Sequence, residues 1–253
     1  MIDIITLIKD LIRCKYDLPT WINRRYRSDG MIPIDYTEFN LISKRDGIVF
    51  VLDEHTPEMV LSTHDYDYTG ITKDSVVLDI GANCGAFALH AAKLCKLVVA
   101  VEPLLFDQMR ENVRASDLSN VAVIRGALGN GSVSKVSWGD QTSEVSTYSL
   151  SYFKSLCLGY VNFLKCDCEG FEWYIQPDEL EGINRLEMEL HYFKEDGYPK
   201  SNPKLVEYIM THYDVVIDPQ DNLEAVVIHA TRKGIYTEQK NTVNNAKTIE
   251  ILR

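Results

Sequence analysis

Five ionisable residues of this chain stand at or just beyond the carboxyl ends of apolar runs: Asp79, Glu102, Asp167, Glu169 and His191. Asp79 lies in Val76-Val77-Leu78-Asp79-Ile80, which passes through Gly81-Ala82-Asn83-Cys84-Gly85 into the apolar stretch Ala86-Phe87-Ala88-Leu89. Strand, glycine-bearing turn and helix is the arrangement that sets a helix N-terminus and free backbone N–H groups against a ligand. Glu102 closes the next apolar run, Leu97-Val98-Val99-Ala100-Val101. A carboxylate there suits a ribose diol, since it can accept from both hydroxyls at once. Two nucleotide classes fit that pattern, a dinucleotide and S-adenosylmethionine (SAM).

The turn separates them. A dinucleotide fingerprint needs G-x-G-x-x-G, with the middle glycine giving the pyrophosphate room to approach the backbone. Here Asn83 takes the middle place and Ala86 follows Gly85. Asn tolerates positive φ, so the turn survives without phosphate space. Asp79 would repel a pyrophosphate but attract the ammonium of a methionyl group. The expected cofactor is therefore SAM, held by Asp79, Gly81, Ala82, Asn83, Gly85, Glu102 and Pro103, with adenine beside Ala127.

Residues 77–87 resemble motif I of class I SAM-dependent methyltransferases. With Lys165-Cys166-Asp167-Cys168-Glu169-Gly170-Phe171-Glu172 downstream, the chain is similar to the FkbM family over roughly residues 71 to 230. The resemblance implies an α/β Rossmann-like fold: a mostly parallel seven-stranded sheet with an antiparallel last strand and helices on both faces. It also implies methylation of an oxygen, often a hydroxyl of a sugar or natural product. Cys166 and Cys168 stand where small aliphatic residues are more usual, which alters packing more than chemistry.

Methyl transfer from a sulfonium is an in-line displacement, so the protein mainly aligns acceptor, methyl and sulfur and excludes water. An alcohol acceptor also loses a proton, and a positioned base contributes roughly 10²–10⁴-fold. Asp167, Glu169 and His191 are the expected catalytic residues. His191 is the better expected base, because an imidazole titrates near neutrality. Asp167, Glu169, Glu189 and His191 could also ligate a divalent ion, but no fixed-spacing motif supports one, and a metal-free site is expected.

The positioning elements follow from periodicity. From Val76 onward strands and helices alternate, which argues for parallel strands with crossover helices. Residues 160–166 and 185–191 read as the strands that deliver Asp167 and His191. The second of these is unusual for a central strand: Leu186, Met188 and Leu190 alternate with Glu187, Glu189 and His191. Either its polar face borders a wet cleft or that face is covered and paired. Residues 38–43 and 47–52 read as a β-hairpin. Ile2, Ile5, Ile8 and Ile12 suggest an amphipathic first helix that docks on the domain or on a second subunit. Three regions result: an N-terminal extension (1–70), a SAM-binding domain (71–232) and a polar tail (233–253).

Composition bounds the partners. The chain has 253 residues, 45% of them apolar, and a net charge of −11. That balance argues against nucleic acid, whose binding depends on neutralising phosphates, and leaves a small hydroxylated molecule as the expected acceptor. The six cysteines form no C-x-x-C pair and several sit in apolar runs, as for buried thiols in a reducing cytoplasm. No signal peptide and no membrane span is legible.

Overall fold

The computed structural model describes residues 34–36, 40–43, 46–51, 66–139, 141–157, 159–192, 201–219 and 225–235. The expected first helix and most of the polar tail lie outside the described residues. The expected hairpin is present: β2 (Asn40–Ser43) pairs antiparallel with β3 (Val49–Val51), and β1 (Ile34–Tyr36) adds to its other edge.

The chain then alternates as the apolar pattern requires. β4 (Val76–Ile80) leads to α1 (Ala86–Ala92), β5 (Leu97–Val101) to α2 (Phe106–Ala115), and β6 (Val121–Ile124) follows. A side sheet comes next, from β7 (Ala127–Leu128), β8 (Val133–Trp138) and β9 (Gln141–Tyr148), and then α3 (Leu150–Leu156). β10 (Phe163–Cys166), two short 3-10 turns, β11 (Arg185–His191), α4 (Pro203–His212), β12 (Tyr213–Pro219) and β13 (Ala225–Arg232) complete it. α4 starts where Asn202 caps it: the Asn side chain accepts from Leu205 N–H, and Pro203 occupies the first turn, where a missing N–H costs nothing.

The main sheet has seven strands in the order β12-β13-β11-β10-β4-β5-β6. β11, β10, β4, β5 and β6 run parallel, while β13 runs antiparallel to both β11 and β12. The strand order reverses between β4 and β10, and in an open α/β sheet ligands bind outside the carboxyl ends at such a point. Apolar clusters cover both faces. On one, Val77, Val98, Ala100 and Phe163 pack with Ala88, Ala91 and Met109 from α1 and α2. On the other, Leu78, Leu164, Leu186 and Met188 pack with Phe153 and Ile209 from α3 and α4.

The N-terminal hairpin closes over the outside of α1 and α2. Leu41, Ile48 and Phe50 are buried with Cys84, Ala86 and Leu89. Backbone groups of β3 find side chains there: Val51 N–H donates to Asn112 Oδ1 at 2.8 Å, and Val49 N–H donates to Ser116 Oγ at 3.0 Å. Asp46 in the hairpin turn meets buried His90 of α1 at 2.6 Å.

Candidate active site

The glycine turn after β4 is closed upon itself. Gly81 and Ala82 N–H both donate to the Val101 carbonyl, Asn83 N–H to Glu102 Oε2, Cys84 N–H to Asn83 Oδ1, and Gly85 N–H to the Ala82 carbonyl. The amides of Gly81 to Gly85, expected from the sequence to be free, are therefore occupied. The end of β5 takes up three of them and the turn itself two, which the sequence of the turn alone does not reveal. Gly81 has φ +73°, and a Cβ on it would lie 1.7 Å from the Asp167 carbonyl oxygen. That glycine is required because the loop after β10 packs directly on it. The two sequence motifs thus form one structure.

Glu102 is only 5% exposed. One carboxylate oxygen accepts from Leu104 and Leu105 N–H at 2.7 and 2.9 Å, and the other from Asn83 N–H at 2.8 Å. A carboxylate offers about four acceptor positions, so one remains for a ligand hydroxyl rather than the two that chelating a diol would use. Burial pushes this carboxyl up, against the pull of the three N–H groups.

Asp79 is fully buried and stands in register with Lys165 of β10. The Lys165 ammonium lies 3.3 Å from Asp79 Oδ1 and donates to the Gly81 carbonyl at 2.8 Å. Burial works against that ammonium, but Asp79 and Asp167 outweigh it and raise its pKa, so it stays charged. Lys165 offsets the Asp79 charge from within the sheet, but burial outweighs it and pushes the Asp79 carboxyl up.

Beyond Cys166 the chain leaves the strand. Glu169 has φ +55° and Gly170 φ +94°, a pair of left-handed residues that turns the carboxylate of Glu169 back toward β11. Such a conformation is unusual for a residue with a Cβ. Glu172, fully buried, fixes it: Oε2 accepts from Gly170 N–H at 2.9 Å, while Oε1 accepts from His191 N–H at 2.6 Å. The same Oε1 is 3.2 Å from His191 Nδ1. A carboxylate only accepts, so Nδ1 carries the hydrogen and Nε2 faces the opposite way. There it has Glu169 Oε2 at 3.6 Å, Glu189 Oε1 at 3.8 Å and Asp167 Oδ1 at 4.0 Å. Tyr66, from the segment before β4, donates to Asp167 at 2.9 Å and to Glu189 at 3.1 Å.

The sheet edge thus brings Asp167, Glu169 and His191 into one cluster, as expected, and joins Glu189 and Tyr66 to it. Burial would lower the His191 pKa, but the Glu172 hydrogen bond and the charges of Glu172, Asp167 and Glu169 raise it to about 10. Burial and the charge of Asp167 push Glu169 up to about 7. In this cluster His191 is a cation at neutral pH, not the unprotonated base that its type suggested.

Tyr66, Lys165 and Glu172 were missed as site residues. A lysine inside an otherwise apolar strand was a usable signal for Lys165. For Tyr66, which stands among polar and aromatic residues ahead of β4, the signal was weak. Cys166 ends β10. Cys168 falls beyond the strand, yet its sulfur lies 3.6 Å from that of Cys166.

No family model matches the chain. It is 36% identical over 58 residues to an uncharacterized protein of Methanocaldococcus jannaschii, a match covering 22% of this chain and 22% of that protein. It is 31% identical over 99 residues to the ribosomal protein L11 methyltransferase of Clostridium botulinum, covering 34% of this chain and 31% of that protein. The chain therefore spans less than a third of the length of these curated relatives. Among solved structures, an rRNA methylase from Streptococcus thermophilus is similar with a TM-score of 0.46 at 12% identity, over 68% of this chain and 95% of that one. Strand order, switch point and the reversed β13 define a Rossmann-like class I fold, the one the sequence led us to expect. Among the described residues no helix is long and apolar enough to cross a membrane.

Proposed function

We propose that the protein is a SAM-dependent methyltransferase whose acceptor is a hydroxyl of a sugar or another small hydroxylated molecule. The observation that carries this reading is a glycine turn without a spare amide, packed directly against a carboxylate-rich cluster at the switch point. A pyrophosphate would find no donor in that turn and would meet negative charge beside it. A ligand with a sulfonium, an ammonium and no phosphate suits both features. This chemistry favours SAM over NAD, and with it a transferase over an oxidoreductase.

The residues that would hold SAM are Gly81, Ala82, Asn83 and Gly85 in the turn, Glu102 through its remaining acceptor position, and Pro103 and Ala127 as walls. Asp79 contributes through Lys165, which pins the turn. When bound, SAM supplies an activated methyl group. The chain's own part is to hold the acceptor oxygen in line and take its charge: the oxygen–carbon bond forms, the sulfur–carbon bond breaks, and the hydroxyl proton passes to the carboxylate cluster. Asp167 and Glu169 are the residues we assign to that step, with Glu189 beside them and His191 holding the carboxylates in place. The same negative charge disfavours a phosphate-bearing acceptor such as RNA.

The test is product analysis. The full chain is incubated with methyl-labelled SAM and a panel of polyols, sugars, amino sugars and phenols. Label carried on an acceptor oxygen is the expected result. Label on amino groups would instead assign an amine acceptor, since these carboxylates would also hold an ammonium. Tight SAM binding with no labelled product across the panel would make the protein a silent SAM-binding module.

A further inference from the structure

We propose that Asp167, Glu169 and His191 form a site for one divalent metal ion of the magnesium or manganese type. Each contributes one donor atom, and the three atoms lie within 4.8 Å of one another. From His191 Nε2 the carboxylate oxygens stand at 3.6 Å (Glu169) and 4.0 Å (Asp167). Those separations exceed hydrogen-bond length, about 2.7–3.2 Å. An octahedral ion with bonds of about 2.1 Å sets neighbouring donors roughly 3.0 Å apart and opposite donors roughly 4.2 Å apart. Both separations from Nε2 lie between those two values, so the imidazole and the carboxylates would close on an ion by shifts of under about an ångström.

A second observation is independent of the acidic cluster. The other ring nitrogen of His191 is committed to Glu172, a fully buried carboxylate that also holds the His191 and Gly170 backbone. A carboxylate behind the histidine, fixing its tautomer and aiming Nε2 outward, is the support that metal-binding histidines commonly have. The carboxylates are held as well. Asp167 accepts from Tyr66, its backbone is wedged on Gly81, and Glu169 is set by the left-handed pair that Glu172 locks. Two hard oxygens and one imidazole suit magnesium or manganese, with the remaining octahedral positions open to water or substrate.

The use of such an ion rests on the methyltransferase reading; its binding does not. Two adjacent hydroxyls of an acceptor could fill the open positions, and a metal-bound hydroxyl gives up its proton more readily. Glu189, outside the ligand set but 3.8 Å from His191, is placed to receive it. Ion and proton compete for the same Nε2, as at any histidine ligand.

The test uses the full chain, stripped with chelator and titrated with manganese chloride alone while free ion is followed by electron paramagnetic resonance. One saturable ion per chain is expected, with affinity reduced at least tenfold in Asp167→Asn and His191→Ala. Asp107→Asn, an exposed acid far along the chain, should leave it unchanged. Should the variants fail to fold, spin-echo modulation on manganese bound to the unaltered protein gives the answer, with one imidazole nitrogen expected. Non-saturating binding, binding indifferent to Asp167→Asn, or no nitrogen coupling would overturn the site. SAM binding measured on the same sample separates the two readings. SAM bound without a manganese site rejects the ion alone, whereas a manganese site without SAM binding keeps the ion and rejects the methyltransferase.

Discussion

Two consecutive rows of charge cross the sheet, and they are built in opposite ways. In the first, Asp79, Lys165, Glu187 and His229 stand in register on β4, β10, β11 and β13, so the sign alternates from strand to strand. Glu187 is fully buried and fully occupied: it accepts from Arg185 Nε at 2.7 Å and Nη2 at 2.5 Å, from Asp67 N–H at 2.9 Å and from His229 Nδ1 at 2.6 Å. One row closer to the carboxyl edge, Asp167, Glu169 and Glu189 bring like charges together around the single imidazole of His191, at separations no hydrogen bond spans. In the first row Glu187, with Arg185, His229 and the Asp67 amide, forms a closed network that holds β11 and β13 together. The second gathers negative charge at the place where an α/β sheet receives its ligand. Buried charge that is paired stabilises little but is costly to break, whereas charge left crowded marks a site.

The largest effect should come from breaking the closed row. Glu187→Ala leaves Arg185, His229 and the Asp67 amide without their acceptor, and removing one partner of a buried pair costs about 3–5 kcal/mol. Denaturant unfolding should show a loss of that order, at an unchanged slope. A loss under about 1 kcal/mol would mean that water replaces the carboxylate and that the row is not closed.

The open row should behave in reverse. Glu169→Gln and Asp167→Asn remove crowded charge, so stability should stay within about 1 kcal/mol of the parent or rise. Turnover should fall by roughly 10²-fold or more if these carboxylates take the acceptor's charge. The check pairs an unfolding curve with a methyl-transfer rate on each variant. Strong destabilisation with a retained rate would erase the distinction between the rows.

How far this was legible depends on the range of the interactions. The alternation in β11 was visible, and one of the two explanations offered for it holds at Glu187, which is covered and paired, while Glu189 and His191 join the carboxylate cluster. Strand ends are local, so Asp167 and His191 were found together. Lys165 opposite Asp79 required the register of two strands far apart in sequence. Tyr66 reaches Asp167 and Glu189 across more than a hundred residues, 101 and 123 respectively. The closed amides of the glycine turn were misread for the same reason, since three of the five find their acceptors at the end of β5. Type and spacing give the residues at a sheet edge, but not which of them are already satisfied.

A smaller effect probes the first row by pH. Burial would lower the His229 pKa, yet its hydrogen bond to Glu187 and that residue's charge raise it. A histidine raised in the folded state stabilises fully below its unfolded value, about 6.5, and that contribution is lost as pH rises through the folded value. Unfolding midpoints of the parent should therefore fall as pH rises above neutrality, and His229→Gln should flatten that part of the profile. An unchanged profile in the variant would remove His229 from the network.

The reading of the site stands most directly on one titration. Calorimetry of the full chain with SAM and with NAD should show one SAM bound per chain and no NAD heat, with SAM affinity at least tenfold weaker in Glu102→Ala, about 1.4 kcal/mol. NAD bound in preference to SAM, or neither bound by folded protein, would contradict it.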